Sequence, residues 1–198
     1  MIKILNISKE EPYKIFRRYF DKALKAKQKN IEAISVSSFN KENNEVESRY
    51  VNLKYLIEDE WIFFSNFKSR KALDFKGHDQ VSVLFHWSNI DTQIRMKAKI
   101  KKASSKISDE HFLNRDIKKN ALAISSNQSQ EINSYSDVIK NYELTLKNIN
   151  NESRPSFWGG YSFTPYYFEF WEGHESRINK RMSFTLNNLV WNKKILQP

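Results

Sequence analysis

The hydrophobic pattern changes period twice along the chain. From Pro12 the apolar pairs Ile15-Phe16, Tyr19-Phe20 and Ala23-Leu24 recur every four residues, the spacing of one helical face. Pro12 suits a first helical turn beside Glu10 and Glu11, because a helix start leaves its N–H groups unpaired and favours acidic neighbours. The spacing predicts an amphipathic helix to about Lys29 with a cationic last turn.

A period of two follows. Ile31 to Phe39 reads as a strand, Lys41 to Glu45 as a turn and Arg49 to Ile57 as a second strand. Val51, Leu53, Tyr55 and Ile57 are expected to share one face with Arg49, with Asn52 and Lys54 on the other. An acidic turn, Glu58-Asp59-Glu60, leads to a third strand at Trp61 to Ser65. A short helix near Ser69 to Phe75 precedes a fourth strand, Val81 to Trp87. Gln93 to Lys101 alternates cleanly, with Ile94, Met96, Ala98 and Ile100 against a cationic face. From Ile107 to about Ile149 the period is helical, broken by the polar run Ser125 to Ser129. Strands are expected again at Gly160 to Phe163, Tyr166 to Glu172, Arg177 to Leu186 and Leu189 to Lys194. The class is mainly β with α insertions: an antiparallel barrel with helices packed outside. Residues 1–198 are expected to form a single domain.

Composition narrows the chemistry. The chain has 198 residues, a net charge of +10 and no cysteine. Disulfides, thiolate nucleophiles and cysteine zinc sites are therefore excluded. No apolar run approaches the ~18 residues of a membrane span, and the N-terminus lacks a signal-peptide core. A cytoplasmic protein without a membrane partner is expected. The lysines are scattered along the whole chain rather than gathered in a basic tract, so single anionic ligands explain the charge equally well and no nucleic-acid partner is expected. The four glycines build neither a G-x-G-x-x-G motif nor a P-loop. Asp109-Glu110-His111 reads as a surface helix, because successive helical residues point apart.

Trp61 to Lys71 combines an aromatic strand with a cationic elbow. Ser69 can cap a helix whose first turn carries Arg70 and Lys71. Cations are misplaced in a first helical turn unless an anion joins them. The stretch suits either a plain strand–turn–helix with solvated charges or a phosphate seat of N–H groups, hydroxyl and cations.

Further blocks follow in a fixed order. Arg49-Tyr-Val-Asn-Leu-Lys54 is followed by Phe64-Ser-Asn-Phe-Lys-Ser-Arg-Lys71, then by Gln93 and by Asn127-Gln128-Ser129. Pro155 to Tyr161 contains Phe-Trp-Gly-Gly, Glu169 to Gly173 reads Glu-Phe-Trp-Glu-Gly, and Ser176 to Arg181 is arginine-rich. In this order and spacing the chain resembles the pyridoxamine/pyridoxine 5′-phosphate oxidases from its first helix onward. The resemblance implies an FMN-binding split barrel and a homodimer with FMN at the subunit interface. It also implies the residues that hold the flavin: Arg49, Val51 and Lys54 on one strand, Phe64 and Ser65 at another's end, and Ser69, Arg70 and Lys71 at the elbow. Gln93, Gln128, Ser129, Trp171 and Arg181 complete that set. Tyr and Thr are common in the family at the positions of Phe64 and Ser65.

The resemblance implies a phosphorylated small-molecule substrate held by Lys54, His111, Arg115 and Lys119, with Arg177 and Asn179 at the reacting carbon. His111 stands where the family has Tyr, Lys119 where it has Ser, and Asn179 where it has His. The implied reaction oxidises pyridoxamine or pyridoxine 5′-phosphate to pyridoxal 5′-phosphate with dioxygen and releases hydrogen peroxide. Those departures keep two alternatives open: a related flavin oxidase with a non-vitamer substrate, like those of phenazine biosynthesis, or a non-catalytic FMN- or pyridoxal-phosphate-binding protein.

Overall fold

The computed structural model describes residues 1–150 and 153–198. A short strand, β1 (Lys3–Leu5), precedes helix α1 (Glu11–Lys25). Strands β2 (Ala33–Asn40), β3 (Glu45–Ile57) and β4 (Glu60–Asn66) lead to helix α2 (Arg70–Gly77). Strands β5 (Gln80–Trp87) and β6 (Thr92–Lys102) precede three helices, α3 (Ser105–Leu113), α4 (Ile117–Ser125) and α5 (Tyr135–Asn148). The chain ends in β7 (Trp158–Glu172), β8 (Lys180–Asn187) and β9 (Val190–Leu196). Among the described residues no helix is long and apolar enough to cross a membrane.

Six strands close on themselves. β3 pairs with β2, β2 with β5, β5 with β6 and β6 with β7, while β4 pairs with both β7 and β3. All these pairings are antiparallel, so every strand of the ring has both edges satisfied. β1 adds to β3 in parallel, and β8 and β9 extend the sheet beyond β7. β7 therefore serves two structures. Its first part, from Trp158 to Phe163, closes the barrel against β4, and its second, from Tyr167 to Glu172, carries β8.

Three expectations change. The two strands foreseen on either side of Pro165 are one continuous β7. Pro165 falls between the β4 and β8 pairings and opposite Ala98, beside a register shift against β6, the kind of irregularity at which a strand tolerates proline. α1 stops at Lys25 rather than near Lys29. Lys27 adopts a left-handed φ of 53° and Gln28 N–H donates to Ala23 O, a Schellman ending without the usual glycine. The strand expected from Arg177 begins only at Lys180, because Arg177 itself is left-handed at φ 63°.

The core is aromatic. Trp61 is fully buried, with its ring centroid 4.5 Å from Phe16, 5.9 Å from Phe163 and 6.0 Å from Phe85. Phe16 comes from α1, so the barrel interior and its outer helix share one cluster. Trp61→Ala is expected to lower unfolding free energy by about 3–5 kcal/mol in a denaturant titration at fixed protein concentration.

Candidate active site

The site begins with an irregularity in β3. Leu53 opposes Phe63 and Tyr55 opposes Ile62, so Lys54 is an extra residue without a β4 partner. A bulge of this kind re-aims side chains. It overturns the expected alternation: Leu53 and Leu56 are both buried, whereas Tyr55 and Ile57 are only partly so. Lys54 turns into a cavity of about 510 Å³ between β3, β4, the start of α2 and the α3–α4 segment.

α3 reaches this cavity because β7 has no side chain in its way. A Cβ on Gly160 would lie 2.9 Å from Ala103 Cβ and 3.2 Å from Phe64 Cε1. The bare backbone instead lets Gly160 N–H donate to Ser108 Oγ at 3.1 Å, within α3. That docking sets His111 flat on Phe64, with centroids 3.8 Å apart and planes 8° apart. Trp158 lies parallel to Phe64 at 5.3 Å, and the Arg115 guanidinium sits over the Trp158 ring at 4.9 Å. His111 is thus an inward-facing residue, unlike its exposed helix neighbours Asp109 and Glu110.

Arg49, Lys54, Lys71, Arg115 and Lys119 line the cavity, and none of the lining residues is acidic. Burial lowers the pKa of Lys54, and Lys119 and Arg115 lower it further against the pull of Glu32. Burial also lowers Lys71, followed by the repulsion of Arg49. His111 falls to about 4, through burial first and then Arg115, Lys54 and Lys3. The imidazole is neutral at pH 7, and its Nδ1 lies 2.9 Å from the Tyr55 hydroxyl. Among the described residues Arg49 alone of the five has carboxylates within 4.0 Å: it donates to Glu47 at 3.0 Å, with Asp74 at 3.5 Å, and also to Ser38 Oγ at 2.6 Å.

The cavity gathers part of the foreseen set: Arg49, Val51, Lys54, Phe64, Ser65, Lys71, Gln128, His111, Arg115 and Lys119. Lys71 points its amine to Ser65 Oγ and Ser69 Oγ, both at 3.4 Å. Ser69 stands at the N-cap position of α2, but its hydroxyl donates to Asn66 O and caps no N–H. Arg70 lies outside the cavity, largely exposed and 3.4 Å from Glu47. Ser129, left-handed at φ 73°, faces a neighbouring hollow beside Val138 and Asn141.

Five foreseen residues lie elsewhere. Gln93, Trp171 and Arg181 form a row across β6, β7 and β8, with Trp171 between the other two. Arg181 donates to the buried Glu169 at 2.8 Å and 3.0 Å and to Gln197 O at 3.0 Å. Arg177 is exposed on the loop before β8. Asn179 Oδ1 accepts from His174 N–H at 3.1 Å and so fastens that same loop. Sequence reasoning missed Tyr55 behind the cavity and Trp158 and Asn66 within its lining. The last two sit inside quoted blocks; for Tyr55 the even alternation pointed to the core.

The chain is similar to known proteins in both sequence and fold. Residues 20–142 match the family model described as pyridoxamine 5′-phosphate oxidase, and residues 158–198 match that of the pyridoxine 5′-phosphate oxidase C-terminal dimerisation region. The pyridoxine/pyridoxamine 5′-phosphate oxidase of Herminiimonas arsenicoxydans is 31% identical over 95% of this chain and 90% of its own length. That of Pelagibacter ubique is 30% identical over 97% of this chain and 94% of its own. In fold, the chain superposes on the crystal structure of PhzG from Burkholderia lata, in complex with tetrahydrophenazine-1-carboxylic acid, with a TM-score of 0.89 at 21% identity, covering 95% and 93% of the two chains. A pyridoxamine 5′-phosphate oxidase-related, FMN-binding protein from Nostoc punctiforme gives 0.74 at 13% identity, covering 92% and 97%. On the family model spanning most of the barrel and relatives aligned over nearly its whole length, the chain belongs to the pyridoxamine 5′-phosphate oxidase family of FMN-dependent oxidoreductases.

Proposed function

We propose that this protein oxidises pyridoxamine 5′-phosphate or pyridoxine 5′-phosphate to pyridoxal 5′-phosphate, with dioxygen as the terminal oxidant and hydrogen peroxide as the second product. One observation carries the reading: a cavity with five cations, no carboxylate and a wall of parallel rings. Its volume falls within the ~300–1,000 Å³ usual for cofactor and ligand sites. Two of its lysines have depressed pKa values through burial and the repulsion of neighbouring cations, a cost that bound phosphate oxygens offset. The residues therefore fit a phosphorylated cofactor beside a phosphorylated substrate.

Bound FMN supplies the acceptor for a hydride from the carbon bearing the amine or alcohol. Arg49 and Lys71, with the Ser65 hydroxyl between β4 and α2, hold its phosphate. Lys54, Arg115 and Lys119 hold the substrate phosphate, in the same cavity as the Phe64–His111 stack. A homodimer completes the site: the second copy brings Gln93, Trp171 and Arg181 to the flavin, and Arg177 and Asn179 to the substrate. Residues 1–198 act as one unit in this scheme.

A second reading has one observation in its favour. The Asn179 carbonyl already accepts from His174 N–H, and a carboxamide cannot carry the charge of an imidazolium. A flavin oxidase acting on a non-vitamer anion would use the same cationic cavity without that charge.

Purified protein should turn yellow with FMN and, given either vitamer in air, release peroxide and aldehyde in equal amounts. Flavin binding without turnover of either vitamer would favour the second reading or a non-catalytic binding role; no flavin binding would sink every form of the proposal. Lys71→Met is expected to weaken FMN binding by about tenfold or more in a flavin fluorescence titration. Arg70→Ala should cost less than about threefold, since that side chain is exposed and paired with Glu47. Equal losses would relocate the phosphate seat.

His111 also predicts a pH dependence. Its folded pKa is depressed from 6.5 to about 4, so the unfolded chain takes up the proton first as pH falls. The stability contributed by the neutral ring is complete above about 6.5 and is lost as pH drops towards about 4. Urea unfolding should show His111→Phe losing less stability than the wild type between these limits; parallel curves would contradict the assignment.

A further inference from the structure

Tyr55 lies outside the cavity, yet it touches the ring that lines it. The Tyr55 hydroxyl is 2.9 Å from His111 Nδ1, and the two rings meet edge-on at 5.4 Å and 83°. Phe64 covers one face of the imidazole at 3.8 Å. Three elements thus fix one ring: α3 supplies it, β4 stacks on it and β3 engages one of its nitrogens. β1 backs the arrangement, since Lys3 pairs with Tyr55 and its amine sits 5.8 Å over the phenol ring.

The protons can be counted. Burial, with Glu110 next, raises the Tyr55 pKa, so the phenol keeps its hydrogen. The imidazole is neutral at pH 7 and owns a single N–H. A phenol is the better donor and an imidazole nitrogen the better acceptor, so Tyr55 O–H donates to Nδ1. His111 lines the cavity, and the one N–H of its ring then falls to Nε2, the nitrogen that Tyr55 does not engage.

We propose that Tyr55 is a positioning residue: it holds His111 as the Nε2–H tautomer, making the ring a neutral hydrogen-bond donor to the anion that Lys54, Arg115 and Lys119 attract. The inference deepens the proposed function and rests on its placing of a phosphate at those cations. A neutral donor adds direction without adding a fourth desolvated charge beside three cations. In the opposite tautomer a lone pair would face the anion and repel it.

The test uses the FMN-loaded protein with ¹⁵N-labelled histidine, His111 being identified by loss of its signals in His111→Gln. Long-range ¹H–¹⁵N correlations should show a protonated Nε2 and a bare Nδ1 in the wild type. Inorganic phosphate should shift the Nε2 signal saturably. In Tyr55→Phe, which removes one oxygen, the tautomers should mix, and phosphate should bind about tenfold more weakly. With a turned-over phosphorylated substrate the loss should fall on KM rather than kcat. His111→Tyr puts a phenol in the ring's place, and there Tyr55→Phe should cost less than about twofold. An Nδ1–H tautomer in the wild type, a His111 signal unmoved by phosphate, or an equal loss in both backgrounds would overturn the inference. The expected tautomer and phosphate response without vitamer turnover would leave it standing and remove the proposed reaction instead.

Discussion

Closure of the barrel through β4 is the constraint on which the remaining features depend. β4 is only seven residues long, yet both its edges are paired, to β3 and to β7. Its registers place Trp61 and Phe63 in the core and leave Phe64 half-buried on the outer side. Opposite Ser65 and Phe64 the partner strand carries Gly159 and Gly160, the close approach that admits α3. The aromatic wall is therefore a by-product of closure: the pairing that seals the core also fixes where Phe64 stands for His111 to cover.

Electrostatics then sets the character of the cavity. Lys54 and Lys71 are held below their ordinary pKa values by burial, and neighbouring cations add to the strain. Carboxylates near the site lie behind it, with Asp74 and Glu47 on Arg49 and Glu32 near Lys54. They steady the frame without competing with a ligand inside. The result is a cavity lined by charge of one sign, with two of its lysines shifted towards the neutral form.

Much of this was legible in the residues. The alternation of Ile94, Met96, Ala98 and Ile100 located β6 almost to its ends. The ordered motif blocks contain most of the residues that line the cavity, and Gln93, Trp171 and Arg181, from separate blocks, come together as one row. What escaped was backbone irregularity. The bulge at Lys54 shifted the buried set from Tyr55 to Leu56, and a one-residue slip reverses every later side chain. The end of α1 was hidden because Lys27, a side-chain-bearing residue, took the left-handed role of a glycine. Tyr55 became visible only once α3 folded back over β3, a contact between residues 56 positions apart.

The double duty of β7 bears on how the molecule can be taken apart. The region matched as a dimerisation module begins at residue 158, which is also where the strand that seals the barrel begins. Cutting there would not yield a free barrel and a separate oligomerisation tag; it would unzip β4 and β6 along one edge and expose the aromatic core. The start of the matched region and the wall that closes the core are parts of one fifteen-residue strand. Residues 158–198 therefore cannot be removed or exchanged as a cassette without opening the barrel.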